Sequence, residues 1–219
     1  MSVSNVAWFV GLDLGQSQDP SAIAVIERAR VCAYPDPERP WNGELRLTST
    51  AYDVRHLERP KLGTPYLDVC RRSAELVDAL TPRGRVELVV DATGVGRAVL
   101  EMLRPLIRCP LLEVTITTGE EERACGGGRW HVPKRDLVAG VSAELGAKQL
   151  RVAAALPDAA VLLQELRQFR MKISAAGRDT YSAWREGDHD DLVLAVALAL
   201  WRARRVVKPV NGARRLLSF

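Results

Sequence analysis

Apolar positions along this chain follow two rhythms, one near-continuous and one helical, and the change between them outlines the fold. Val6 to Leu14, with Trp8, Phe9, Val10 and Leu12, predicts a buried strand running into Asp13. A turn-like stretch from Gly15 to Pro20 separates it from Ser21 to Glu27, a second strand, so the pair predicts a hairpin. Tyr34 to Gly43 holds three prolines and predicts a loop, after which Glu44 to Val54, rich in Leu, Thr and Val, predicts a third strand. From Pro65 to Leu80 the spacing turns helical, with Leu67, Val69, Cys70, Ala74, Val77 and Leu80 on one side and Thr81-Pro82 as the stop.

Val86 to Val90 predicts a short strand with Asp91 at its end, and the Thr93–Gly96 turn leads into a helix over Arg97 to Leu106. Leu111 to Thr117 predicts a fifth strand. Gly119 to Trp130, with glycines at 126, 127 and 128, predicts a mobile loop. Helices follow over Lys134 to Lys148 and Ala159 to Arg170, then a hairpin within Lys172 to Trp184, then a strong helix over Asp190 to Arg205. Three antiparallel strands, then strands alternating with helices, define an α/β architecture with a mixed sheet flanked by helices. No repeat or linker is evident, so residues 1–205 read as one domain and 206–219 as a basic tail.

Composition changes this picture little: 47% hydrophobic and 26% charged residues are ordinary for a globular chain, and the net charge of +4 permits a polyanionic partner without demanding one. The cysteines, at 32, 70, 109 and 125, have no C-x-x-C spacing, and no secretion signal precedes them, so reduced thiols in a cytoplasmic protein are expected. The longest apolar run, Leu192 to Trp201, has ten residues. A bilayer span needs about 20, so no membrane is expected. No phosphate-binding G-x-x-x-x-G-K-[ST] occurs.

The candidate chemistry lies in acids placed where packing alone does not want them. Asp13 ends one apolar strand, Asp91 ends another, and Asp190 and Asp191 open an apolar helix. A buried carboxylate is costly unless something pairs with it, and no basic residue lies within four positions of Asp13 or Asp91. If the fold gathers these acids at one sheet edge, their repulsion suits hard cations such as Mg²⁺ or Mn²⁺. Two such ions can clamp the attacking and leaving oxygens of a phosphoryl displacement. Each acid has a structural alternative: Asp13 as a turn residue, Asp91 as the cap of the following helix, and Asp190 or Asp191 as an N-cap or first-turn acid.

Three stretches resemble the acidic motifs of phage terminase large-subunit nuclease domains. They are GLDLGQSQDPSAIAV (Gly11 to Val25), VVDATGVGRAVLEML (Val89 to Leu103) and WREGDHDDLVLAVALALW (Trp184 to Trp201), in the family's order and spanning most of the chain. The resemblance implies an RNase H-like fold and a divalent-metal-dependent endodeoxyribonuclease with two Mg²⁺ or Mn²⁺ ions. It implies cutting of double-stranded DNA during phage or prophage genome packaging in a bacterial cytoplasm. Asp13, Asp91 and Asp190 would be the catalytic metal ligands, and Asp191 a fourth ligand or a support behind one. The family normally carries an ATPase motor ahead of the nuclease, and no such motif is present here. The chain is then an isolated domain or a free-standing relative, with a separate terminase ATPase, small terminase or portal protein as its expected partners.

Other residues can be read in the same light. His189 could move a proton, orient a phosphate or bond the helix start. Lys134, Arg135, Arg178 and Arg185 are candidate contacts to the DNA backbone, against the alternative of solvated surface charge. The stretch from Arg202 onward holds six basic residues and no acid, which suits phosphate or an unstructured end. Competing functions are a sugar-kinase-like or actin-like ATPase, which shares Asp13-Leu14-Gly15 but needs a second domain, a Holliday-junction resolvase, and a non-catalytic DNA-binding packaging component.

Overall fold

The computed structural model describes residues 2–15, 19–32, 47–175 and 190–205. The three leading strands form as the alternation dictates: β1 (Ser2–Asp13), β2 (Ala22–Cys32) and β3 (Leu47–Glu58), each antiparallel to the last. Helix α1 (Tyr66–Leu80) starts after Pro65, whose fixed φ suits a helix entry. It returns the chain to β4 (Arg85–Asp91), which lies parallel to β1. Helix α2 (Gly96–Leu103), followed by a short 3₁₀ turn over Arg104–Leu106, leads to β5 (Leu111–Thr117), parallel to β4.

The next segment departs from expectation. Instead of a mobile loop, residues 123–133 form a hairpin of β6 (Arg123–Gly126) and β7 (Arg129–Pro133). Gly126, Gly127 and Gly128 take φ of 78°, 59° and 79°, a run of left-handed residues that only glycine accommodates without strain. β7 then adds in parallel to β5. Helix α3 (Lys134–Gly146) is followed by β8 (Leu150–Val152), a strand the sequence reading lacked, which pairs in parallel with β3. Helix α4 (Ala159–Ala175) continues through Lys172–Ala175, correcting the hairpin expected to start there; the rest of that stretch lies outside the described residues. Helix α5 (Asp191–Arg205) closes the described chain.

Among the described residues these strands make one sheet in the order β6-β7-β5-β4-β1-β2-β3-β8. Its centre, an antiparallel β3-β2-β1 meander with β4 and β5 added in parallel to β1, is the RNase H-like arrangement. Both faces are covered, which explains why β1 and β4 read as unbroken apolar runs rather than alternating ones. Trp8, Val10, Leu12, Leu88 and Val90 pack with Val69, Val77, Val99 and Leu103 of α1 and α2. On the opposite face, Phe9 and Val89 pack with α5.

Helix α5 is buried all round from Asp191 to Trp201, as a helix apolar on every side must be. It lies on β1 and β2, with α3 and α4 packed against it. Gly11 permits the close approach: a Cβ there would sit 2.0 Å from the carbonyl oxygen of Ala195 and 3.0 Å from the amide nitrogen of Ala199. The far end of α5 is fastened by arginines. Arg202 Nε donates to the buried Glu87 Oε2 at 2.6 Å, Arg204 Nε lies 2.9 Å from Glu144, and Arg205 Nε donates to Glu122 Oε1 at 2.8 Å. Three of the basic residues expected to serve phosphate binding or an unstructured end are thus tied into the fold, while residues 206–219 lie outside the described part.

Candidate active site

The parallel pairing of β1 and β4 sets the geometry. Leu12 stands opposite Val90 and Gly11 opposite Val89, so the strands leave the sheet in step with Asp13 and Asp91 side by side at the carboxyl edge. Side chains on a strand alternate, and both acids share the face of Phe9 and Val89, toward α5. The two carboxylates lie near enough for each to act on the other's protonation. Asp13 is 6% exposed. Burial, first, and then the charges of Asp91, Asp191 and Asp190 hold its carboxyl well above the ordinary aspartate range, with Lys134 opposing. Burial also raises Asp91, offset by hydrogen bonds from Thr93 and by Lys134.

The turn after each strand is locked. Thr93 N–H donates to Asp91 Oδ1 at 2.8 Å, while Thr93 Oγ1 accepts from Ile116 N–H at 2.9 Å on β5. Asp91 therefore does not cap α2, whose N-cap residue is Val95 and has no side-chain cap. Gly96 lets α2 start tightly against the strand end, because a Cβ there would lie 2.2 Å from the Asp91 carbonyl oxygen. After Asp13, Gly15 N–H donates to Ser21 Oγ at 3.2 Å and Tyr66 Oη donates to the Gly15 carbonyl at 2.9 Å. A cavity of about 220 Å³ opens beside this turn, lined in part by Gly15, Asp19, Ser21, Lys61, Thr64 and Tyr66.

The N-terminus of α5 brings the last two acids. The Asp190 carbonyl accepts the Leu194 N–H at 2.9 Å, so Asp190 sits at the N-cap position and Asp191 in the first turn. Their side chains are committed elsewhere as well. Lys134 Nζ, at the start of α3, donates to Asp190 Oδ2 at 2.8 Å. Arg59, just past β3, donates from Nη2 to Asp191 Oδ2 at 2.8 Å. Burial raises the Asp191 carboxyl too, with Arg59 opposing and Asp190 and Asp19 reinforcing. The fold thus supplies cations that neighbouring sequence could not: the partners of the acids lie on α3 and after β3, far away along the chain.

The four acids expected to converge lie near enough that the charges of Asp91, Asp190 and Asp191 all act on Asp13. Lys134 points into the acids, whereas Arg135 turns aside to donate to the Glu120 carbonyl at 2.6 Å. Arg178, Arg185 and His189 lie outside the described residues. Two participants were missed. One is Arg59. The other is Glu165 of α4, 5% exposed, whose Oε2 accepts the Val193 N–H of α5 at 3.2 Å. Burial, eased by Val193 and Arg59 and reinforced by Asp191 and Asp190, pushes the Glu165 carboxyl up to about 7. Its one sequence signal was an acid flanked by Leu162, Leu163 and Leu166 in a helix.

The donor set is all carboxylate oxygen, which suits hard divalent cations. Among the described residues, no group of three or more His, Cys, Asp or Glu side chains is arranged to hold a metal ion as it stands. Asp13 and Asp91 stand side by side at the strand ends, while Asp190 and Asp191 are drawn onto Lys134 and Arg59. The residues fit such an ion in kind, and the two engaged acids flank the pair that would receive it.

Fold and site together define an α/β protein of RNase H-like topology with buried acids at the carboxyl edge of its central strands. No family model matches the chain, and no curated protein matches it. A solved structure similar to it is the human cytomegalovirus terminase nuclease domain, at a TM-score of 0.48 and 12% sequence identity, covering 90% of this chain and 84% of that one. No helix among the described residues is long and apolar enough to cross a membrane.

Proposed function

We propose that this protein is a divalent-metal-dependent endonuclease that hydrolyses DNA phosphodiester bonds, in the manner of the terminase nucleases its acidic motifs resemble. The observation that carries this reading is the in-step exit of Asp13 and Asp91 from neighbouring parallel strands, beneath a helix whose first residues are Asp190 and Asp191. Evolving a buried, mutually repelling set of acids for packing alone would be a poor use of a sheet edge. Asp13 and Asp91 would hold Mg²⁺ or Mn²⁺, with Asp190 or Asp191 completing the set. Two bound ions would supply the positive charge that activates water and stabilises the departing 3′ oxygen.

The protein's own groups have definable tasks. Asp13 and Asp91, whose carboxyls burial raises, would have to be ionised to hold a cation. Lys134 offers an ammonium at the edge of the acids, where it can meet a non-bridging phosphate oxygen. The tight turns at Thr93 and Gly15 keep the two strand ends from drifting apart. Genome packaging, with double-stranded DNA and a separate ATPase, small terminase or portal protein as partners, is the setting the motif resemblance favours.

The test is plasmid nicking with Mg²⁺ or Mn²⁺. Asp13→Asn and Asp91→Asn should each lower the rate by at least about 100-fold, the scale of losing a principal charge-stabilising group, with circular dichroism unchanged. Full activity in both variants would remove the proposed site. Preferential cutting of four-way junctions over linear duplex would redirect the reading to a resolvase. ATP hydrolysis without nicking would redirect it to the ATPase class.

A further inference from the structure

Arg59 and Glu165 form a connection that the nuclease reading does not use. Arg59 Nη2 reaches Asp191 at 2.8 Å, and its Nη1 lies 3.5 Å from Glu165 Oε1. Glu165 Oε2 in turn accepts the Val193 N–H in the first turn of α5. Three separate pieces of chain, the exit of β3, the middle of α4 and the start of α5, thus meet at the back of the acids. Among the described residues, neither Arg59 Nε nor Glu165 Oε1 has a hydrogen-bond partner, although both atoms are buried. A pair kept only for stability would be better served by apolar side chains of similar volume, since buried ions recover their desolvation only with full hydrogen bonding. A half-satisfied buried pair is instead what a site tolerates when one contact must be kept, and the contact here is with Asp191.

We propose that Arg59 is a positioning residue, which fixes the Asp191 carboxylate beside the Asp13–Asp91 pair and, with Glu165, fastens the first turn of α5 to α4. Cation binding then depends on a guanidinium that touches neither cation nor DNA. The proposal rests on the metal-binding reading of the acids, and it deepens that reading by naming what presets them. The planar fork matters: it grips Asp191 with one nitrogen while a second faces Glu165, a geometry that a lysine ammonium cannot reproduce.

The experiment measures binding of Mn²⁺ alone to the protein by isothermal titration calorimetry, without DNA. The variant Arg59→Met/Glu165→Gln removes both charges but keeps a carbonyl acceptor for the Val193 N–H. It should melt within a few degrees of the unmodified protein in chelator yet bind Mn²⁺ at least about tenfold more weakly, as loss of a group that orients a metal ligand does. Arg59→Lys, which keeps the charge, should fall between the two and covers the case in which the double variant does not fold. In an Asp191→Asn background, Arg59→Met should cause no further loss of affinity, a coupling that a merely structural arginine would not give. Unchanged affinity in the double variant or in Arg59→Lys, or additive losses in the Asp191→Asn background, would overturn the positioning role alone. Failure of the unmodified protein to bind Mn²⁺ would overturn the metal reading of the acids, and this role with it.

Discussion

Glu165 holds its proton far longer than a glutamate in water. Its carboxyl is buried between α4 and the start of α5, and burial lifts it to about 7 against an ordinary 4.5. The sign of the consequence follows from linkage: the folded state keeps a proton that the unfolded chain has already released, so stability falls as pH rises between the two values. Below about pH 4.5 both states are protonated and the stabilising difference is fully present; it is lost progressively through about pH 7. Urea titrations in chelator at pH 4.5 and pH 7.5 measure this directly. Glu165→Gln, which cannot titrate but still accepts the Val193 N–H, should lose less stability across that interval than the unmodified protein. Identical pH slopes would mean that Glu165 does not change its charge there. Asp13 and Asp91, raised by the same burial, add to the slope in both proteins and so cancel in the comparison.

At the scale of elements, the site depends on how closely α5 lies on β1. Gly11 sets that distance, and the atoms its missing side chain would strike are backbone atoms of the helix, which cannot rotate away. Gly11→Ala must push α5 off the sheet, an overpacking that costs about 1–3 kcal/mol. Chemical denaturation should show this loss, and nicking should fall further than stability does, because the displaced helix carries Asp190 and Asp191. A variant as stable as the parent would show that α5 rests elsewhere. The sequence announced α5 and β1 well, since a ten-residue apolar run and an apolar strand leave few alternatives. It announced the β6–β7 hairpin badly, because three successive glycines look like a loop until their left-handed conformations are seen to make a turn. Strand β8, three residues long, has too few positions for any period to show. The acids were visible because each stands at the end of an apolar strand or the start of an apolar helix; Lys134 stood out only as a possible DNA contact and Arg59 not at all, because a cation's partner 56 or 132 residues away leaves no local trace.

Taken as a whole, the molecule places its least stable chemistry at the edge of its most stable element. The central strands β1 and β4 are buried on both faces, yet each ends in an acid whose carboxyl burial pushes up, and the charge of Asp91 pushes Asp13 up further. Among the described residues, Lys134 and Arg59 set positive charge against that repulsion, each in an ion pair with a flanking acid. The metal-free fold should therefore be less stable than its core permits, and a bound divalent ion should recover the difference. At a concentration about 100 times its dissociation constant, such an ion adds about 2.7 kcal/mol, or roughly 5–10 °C in a domain of this size. The same balance predicts a crossing. In chelator at pH 8, Asp13→Asn should melt above the unmodified protein, because it no longer buries a repelled charge. With saturating Mg²⁺ the order should reverse, because the variant has lost a ligand. Differential scanning calorimetry of the two proteins under both conditions decides the matter. If Asp13→Asn is the less stable in chelator as well, the carboxylate serves the fold itself and repulsion is not what the ion relieves.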